Sequence, residues 1–277
     1  MGLYAIWEAA SLRAEITKRQ RQGGSAGLND LILETEGLTK EFLGFTAVRG
    51  VNLEVRRGTI HALIGPNGAG KTTVFNLLTK FLEPSAGRIT FDGRDITRER
   101  PAQVARRGMI RSFQISAVFP HLTVRENIRI ASQRPLGTSF YFWRSERSLA
   151  SLDGKVGALL ADVGLEGYEA VTAAELSYGR KRALEIATTL ALGPALLLLD
   201  EPMSGLGRED IGRISALIRT AAADRTVLMV EHNLSVVADL SDTITVLTRG
   251  QVLAQGSYAE VSENAAVREA YLGTGHA

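Results

Sequence analysis

Cysteine is absent from the 277-residue chain. Its absence removes disulfides, thiolate metal ligands and cysteine nucleophiles, and leaves a reducing compartment acceptable. Histidine is nearly as scarce: the four present stand in separate contexts and suggest no metal cluster. No apolar run reaches the ~20 residues that a helix needs to cross a bilayer, and the N-terminus lacks a continuous hydrophobic signal core. A cytoplasmic chain is the expectation. Charge of one sign is also missing in excess: Lys and Arg are scattered and the formal net charge is only +2, so nucleic acid is not an expected partner.

What is present is the composition of a globular protein, 45% apolar and 22% charged, with enough length for one large or two smaller cores. Within it, Gly65-Pro66-Asn67-Gly68-Ala69-Gly70-Lys71-Thr72-Thr73 has the Gly-x-x-x-x-Gly-Lys-Thr spacing of a P-loop. Such a loop points several backbone N–H groups at one anion, which takes glycine's backbone freedom and close approach. Lys71 places a point charge on the β- and γ-phosphates of ATP, Thr72 offers a hydroxyl to Mg²⁺, and the next helix aims its N-terminus at the phosphates. The flanks agree, with Ile60–Ile64 reading as a buried strand and Thr73–Phe81 as a helix.

The first 30 residues combine a mildly amphipathic piece, a basic run (Lys18, Arg19, Arg21) and a Gly-Gly-Ser-Ala-Gly stretch, the make-up of a flexible extension. A membrane-surface helix carried by Tyr4, Ile6, Trp7 and Leu12 is the alternative. From Leu31 to Val55, apolar and polar residues alternate as in antiparallel strands with one buried face. Phe42 and Phe45 lie there, and either ring suits base stacking or a core position. After the P-loop helix, Arg88–Gly93 reads as a strand running into a turn. From about Pro101 to Leu192 apolar residues recur at helical spacing, which suggests a mainly helical lobe. Inside it, Phe140-Tyr141-Phe142-Trp143 fits either buried packing or a partner contact.

The run Ala195–Leu199, ending in Asp200-Glu201-Pro202, reads as a buried parallel strand that delivers two carboxylates at its C-terminal end, where ligands bind in open α/β sheets. Asp200 suits Mg²⁺ and Glu201 suits the attacking water. Strands follow at Thr226–Val230 and Thr243–Leu247. The first delivers His232 to the same crevice, within reach of a γ-phosphate. A short strand (Val252–Ala254) and a closing helix from Val267 to Leu272 end the chain.

Together these motifs resemble the ATP-binding subunits of ABC transporters over about Leu31–Gly273. The specific mark is Leu176-Ser177-Tyr178-Gly179-Arg180, similar to the signature Leu-Ser-Gly-Gly-Gln, with Tyr178 and Arg180 departing from it. The resemblance implies that Ser177, Gly179 and the helix they open form an anion site for the γ-phosphate held by an opposite subunit. It also implies that Gln114 is the Q-loop residue serving Mg²⁺ and water, that His232 is the switch histidine, and that Phe42 rather than Phe45 stacks on adenine. Gly207 stands where the family's D-loop carries aspartate. Phe42–Val48, Phe113-Gln114, Leu122–Ile128, the Tyr178 signature with Leu184–Ala187, Glu231-His232-Asn233, Glu263-Asn264 and Ala270–Gly273 most resemble the subunits of branched-chain (hydrophobic) amino-acid importers and their urea and amide relatives.

The expected fold is therefore a RecA-like α/β P-loop core over residues 31–273, with an antiparallel β subdomain and a helical subdomain at about 101–192, between an N-terminal extension (1–30) and a short tail (274–277). By the resemblance, two copies, or this chain and a paralogous ATPase, sandwich two Mg²⁺-ATP molecules and drive transmembrane permeases at the cytoplasmic face of the plasma membrane, with a periplasmic or extracellular solute-binding protein as indirect partner. Glu201, His232 and Lys71 are the expected catalytic residues. Uptake of urea, amides or small organic acids is the alternative, then a soluble ABC ATPase outside transport, which would usually carry a second cassette or a coiled-coil insertion. A non-hydrolysing regulatory module fits poorly with intact Glu201 and His232.

Overall fold

The computed structural model describes residues 30–112, 118–133 and 152–272. The expectations for the N-terminal extension, Gln114 and the aromatic stretch 140–143 lie outside these residues. Two sheets organise the rest. The smaller is antiparallel, in the order β2 (Phe45–Arg56), β1 (Leu31–Phe42), β4 (Ala86–Phe91), β5 (Arg94–Asp95). Phe42 pairs with Phe45 across a two-residue turn, Leu43-Gly44, whose positive φ angles (40° and 88°) match the twist of a tight hairpin.

The larger sheet runs β10 (Gln251–Gly256), β9 (Thr243–Thr248), β3 (Ile60–Ile64), β8 (Thr226–Val230), β7 (Leu196–Asp200), β6 (Met109–Ser112), parallel except for β10. Its central strands are continuous apolar runs because each face has its own core. Leu63, Leu198, Leu228 and Val230 pack with the small sheet and with α1 (Lys71–Leu78). Ala62, Ile64, Leu197, Leu199 and Met229 join the second core, with α5 (Tyr178–Ala191), α6 (Arg208–Ala221) and α7 (Leu234–Leu240). The C-terminal ends of β3, β7 and β8 thus lie together, the place where such sheets bind ligands.

Between β5 and β7 stand α2 (Pro101–Arg106), α3 (Val124–Gln133), α4 (Asp153–Asp162) and α5, as the helical spacing predicts. One stretch of this span differs: Met109–Ser112 is strand β6, parallel to β7 at the edge of the main sheet. Four residues are too few to break a helical periodicity, and only the pairing with β7 reveals them. Two short helices, α8 (Tyr258–Glu263) and α9 (Ala265–Leu272), close the chain. Among the described residues no helix is long and apolar enough to cross a membrane.

Candidate functional site

The strand-to-helix turn from β3 to α1 is built around close backbone contacts. A Cβ on Gly65, where φ is 152°, would lie 2.2 Å from the Leu247 carbonyl oxygen of β9, so no other residue fits there without moving the sheet. Ala69 N–H donates to the Pro66 carbonyl (3.1 Å), and Gly250 N–H donates to the Ala69 carbonyl (3.0 Å), which ties the loop to the turn after β9. The loop borders a pocket of about 250 Å³ lined by Asn67 through Thr73, Phe45, Ala47 and Glu201. Lys71 is buried, and its ammonium donates to the carbonyls of Gly65 (2.6 Å) and Pro66 (3.0 Å). Burial pulls its pKa down, while the carboxylates of Glu201 and Asp200 oppose that shift.

Asp200 ends β7, is only 3% exposed, and forms an ion pair with Arg111 on the neighbouring strand. Glu201 takes a positive φ of 46°, a strained turn for a non-glycine residue, and its N–H donates to the Val230 carbonyl (3.0 Å). Two side chains to which the sequence assigns no role hold this turn. Arg182 of α5 donates to the carbonyls of Asp200 (3.2 Å), Glu201 (2.8 Å) and Pro202 (3.1 Å), and pairs with Glu185 (2.9 Å). Glu231, fully buried at the end of β8, accepts from the N–H groups of Met203 (3.0 Å), His232 (2.8 Å) and Asn233 (2.9 Å). The acidic turn and the histidine turn are therefore one hydrogen-bonded unit. The His232 ring itself is 60% exposed and lies off the pocket wall.

Phe42 and Phe45 divide the hairpin tip. Phe45 lines the pocket at the phosphate loop, while Phe42 lies across the pair with the Lys40 ammonium 5.1 Å from its ring centre. Ser177 and Gly179 sit elsewhere, at the N-terminus of α5, and neither lines the pocket of their own chain. A Cβ on Gly179 would fall 2.2 Å from the Asp210 carboxyl carbon, so any larger residue there displaces that carboxylate from its place beside Arg213 (3.2 Å). The two departures from the signature have partners: the Tyr178 hydroxyl donates to the Ser204 carbonyl (3.2 Å), and Arg180 stands over the Tyr168 ring at 4.2 Å. Tyr178 thereby joins the start of α5 to the loop after β7, a link invisible in the sequence.

The pocket fits a polyphosphate with a divalent cation. Its loop amides, Lys71 and the Thr72 and Thr73 hydroxyls favour anions, whereas Glu201 beside them and Asp200 behind them repel a phosphate unless a cation lies between. No group of three or more His, Cys, Asp or Glu that could hold a metal exists among the described residues. A cation here would rest on no more than two carboxylates and on phosphate and water oxygens, which is how Mg²⁺ is commonly held.

The family model described as "ABC transporter" matches residues 48–204, and that of the branched-chain amino acid ATP-binding cassette transporter matches residues 251–277. The high-affinity branched-chain amino acid transport ATP-binding protein BraF of Pseudomonas aeruginosa is 40% identical over 252 residues, covering 87% of this chain and 98% of the relative. The high-affinity branched-chain amino acid transport ATP-binding protein LivG of Escherichia coli is 36% identical over 252 residues, covering 87% of this chain and 98% of the relative. Among solved structures, an ATP-binding cassette of an ABC transporter in its ADP conformation superposes with a TM-score of 0.77 at 32% identity, covering 88% of this chain and 99% of that one. A nucleotide-free cassette from an ABC transporter gives 0.74 at 31% identity, covering 87% and 98%. The sheet order, the phosphate loop, the acidic turn and these likenesses agree: the chain belongs to the ABC transporter family of ATP-binding cassettes.

Proposed function

We propose that the chain is the ATP-hydrolysing subunit of an importer of branched-chain amino acids. The observation that carries the ATPase reading is the pocket in which the phosphate loop, Lys71 and Glu201 share one wall. Lys71 and the loop amides hold the β- and γ-phosphates. Thr72, Asp200 and Gln114 would hold Mg²⁺, which would supply neutralisation of phosphate charge. Glu201 accepts a hydrogen bond from water and takes up its proton as the water oxygen attacks the γ-phosphorus. The bond from that phosphorus to the β–γ bridging oxygen breaks, leaving ADP and phosphate. His232 contacts the γ-phosphate once the site closes.

Ser177 and Gly179 lie off their own chain's pocket, so a second ATP-binding subunit, another copy or a paralogue, presents these residues to the γ-phosphate. Closure on ATP draws the two chains together and hydrolysis releases them. Two permease subunits convert that motion into transport at the cytoplasmic membrane face, and a solute-binding protein delivers the amino acid. The names of BraF and LivG and the C-terminal family match support the solute.

Mg²⁺-dependent ATP hydrolysis by the purified chain tests the engine. Lys71→Ala and Glu201→Gln each lower turnover by a factor on the order of 100 or more. Full turnover in Glu201→Gln would remove that carboxylate from the mechanism. Uptake of labelled leucine by cells carrying only the Lys71→Ala chain falls to background, and normal uptake there overturns the solute assignment.

A further inference from the structure

Arg111 is not among the residues that the phosphate-loop reading uses, yet it touches the site at three points. Its guanidinium pairs with Asp200, donates to Asn76 Oδ1 (2.6 Å), and lies 5.6 Å from the centre of the Phe75 ring. Asn76 and Phe75 belong to α1, the helix that the phosphate loop opens. Both charges are nearly sealed from water, with the arginine side chain 10% exposed. On its other side Arg111 lines a groove of about 420 Å³ beneath the helical lobe, with Phe81, Phe119 and Ile130 on its rim.

A carboxylate this deeply buried needs a counter-charge whenever it is ionised. In the metal-free chain the guanidinium is that charge. Mg²⁺ on the same carboxylate would put a dication beside a monocation in a medium that screens poorly, so the two compete for Asp200. We propose that Arg111 is the metal-free counter-ion of Asp200 and gives it up when Mg²⁺-nucleotide binds, which makes Arg111 a positioning residue between the ATP site and the groove. Apparent metal affinity is then the intrinsic affinity scaled by the fraction of time the pair is open. By linkage, whatever occupies the groove and moves Arg111 changes metal affinity, and metal binding changes the groove. The inference rests on the assignment of Asp200 to Mg²⁺ made above.

The test is the Mg²⁺ concentration needed for half-maximal binding of a non-hydrolysable, fluorescent ATP analogue to the full chain. Wild type is compared with Arg111→Gln, Arg111→Lys and Asp200→Asn. Arg111→Gln, freed of the competitor, reaches its midpoint at about tenfold lower Mg²⁺. Arg111→Lys, which keeps the charge and loses the two-armed geometry, moves the same way by less, and it decides the matter should the glutamine variant not fold. The melting temperature of Arg111→Gln falls without nucleotide, and its gap to wild type closes when Mg²⁺ and the analogue are added. An arginine that only props the fold would instead raise the Mg²⁺ midpoint and widen the gap. An unmoved midpoint in Arg111→Gln, with Mg²⁺ dependence lost in Asp200→Asn, overturns the exchange alone. Mg²⁺ dependence retained in Asp200→Asn overturns the metal assignment beneath it.

Discussion

The two ends of the nucleotide machinery are built differently. The phosphate loop and the acidic turn sit at the centre of the main sheet, where Lys71, Asp200 and Glu231 are buried and each is held by named partners. The start of α5, with Ser177 and Gly179, stands at the surface, and Tyr178 beside them is 59% exposed. The buried half is fixed by contacts within its own chain, and the exposed half is the face that, in the function proposed above, meets the nucleotide of a second chain. Arg182 connects the two halves within one chain, because it springs from α5 and grips the carbonyls of the acidic turn. A movement of α5 therefore reaches Asp200 and Glu201 directly.

The buried half should fail first under acid. His61, in the strand that carries the phosphate loop, is buried against the Thr245 hydroxyl (2.8 Å), and burial pushes its pKa down to about 4. In the unfolded chain a histidine titrates near 6.5, so below that pH the unfolded state binds a proton that the folded state refuses. The stability is complete above about pH 6.5 and drains away as pH falls toward 4, by about 3 kcal/mol in all from this one group. Urea unfolding across that range, wild type beside His61→Gln, checks it: the glutamine variant has the flatter profile.

The exposed half should fail by geometry instead. Gly179→Ala pushes the Asp210 carboxylate, paired with Arg213, away from the start of α5. Turnover falls by roughly tenfold as this face is altered, while ATP affinity for the chain's own phosphate loop stays at wild type. Equal losses in binding and turnover would erase the distinction between the halves.

A smaller effect separates the two hairpin rings. Phe45 lines the phosphate-loop pocket and Phe42 does not, whereas the family resemblance assigns the adenine to Phe42. Phe42→Ala weakens ATP binding about tenfold, the worth of one stacked base, and Phe45→Ala weakens it less. The reverse order, measured by equilibrium binding, moves adenine to Phe45.

What could be read from residues alone follows the same division. The phosphate loop and the acidic turn were legible because local spacing fixes their chemistry: Gly65 to Thr73 is contiguous, and Asp200-Glu201 ends an apolar run. The roles of Arg111 and Arg182 were not, since their partners lie far off in sequence: Arg182 reaches Pro202, and Arg111 reaches Asp200 only because β6 pairs with β7. Strand β6 itself was hidden inside a helical pattern. Tyr178 looked like a defect in a motif until its hydroxyl met the Ser204 carbonyl.

The decisive measurement is the mass of Glu201→Gln in solution with and without Mg²⁺-ATP, by sedimentation. If each site is shared between two chains, ATP doubles the mass, and adding Gly179→Ala abolishes the doubling although ATP still binds. A chain that stays monomeric when saturated with ATP, or a dimer indifferent to Gly179→Ala, would contradict the shared site.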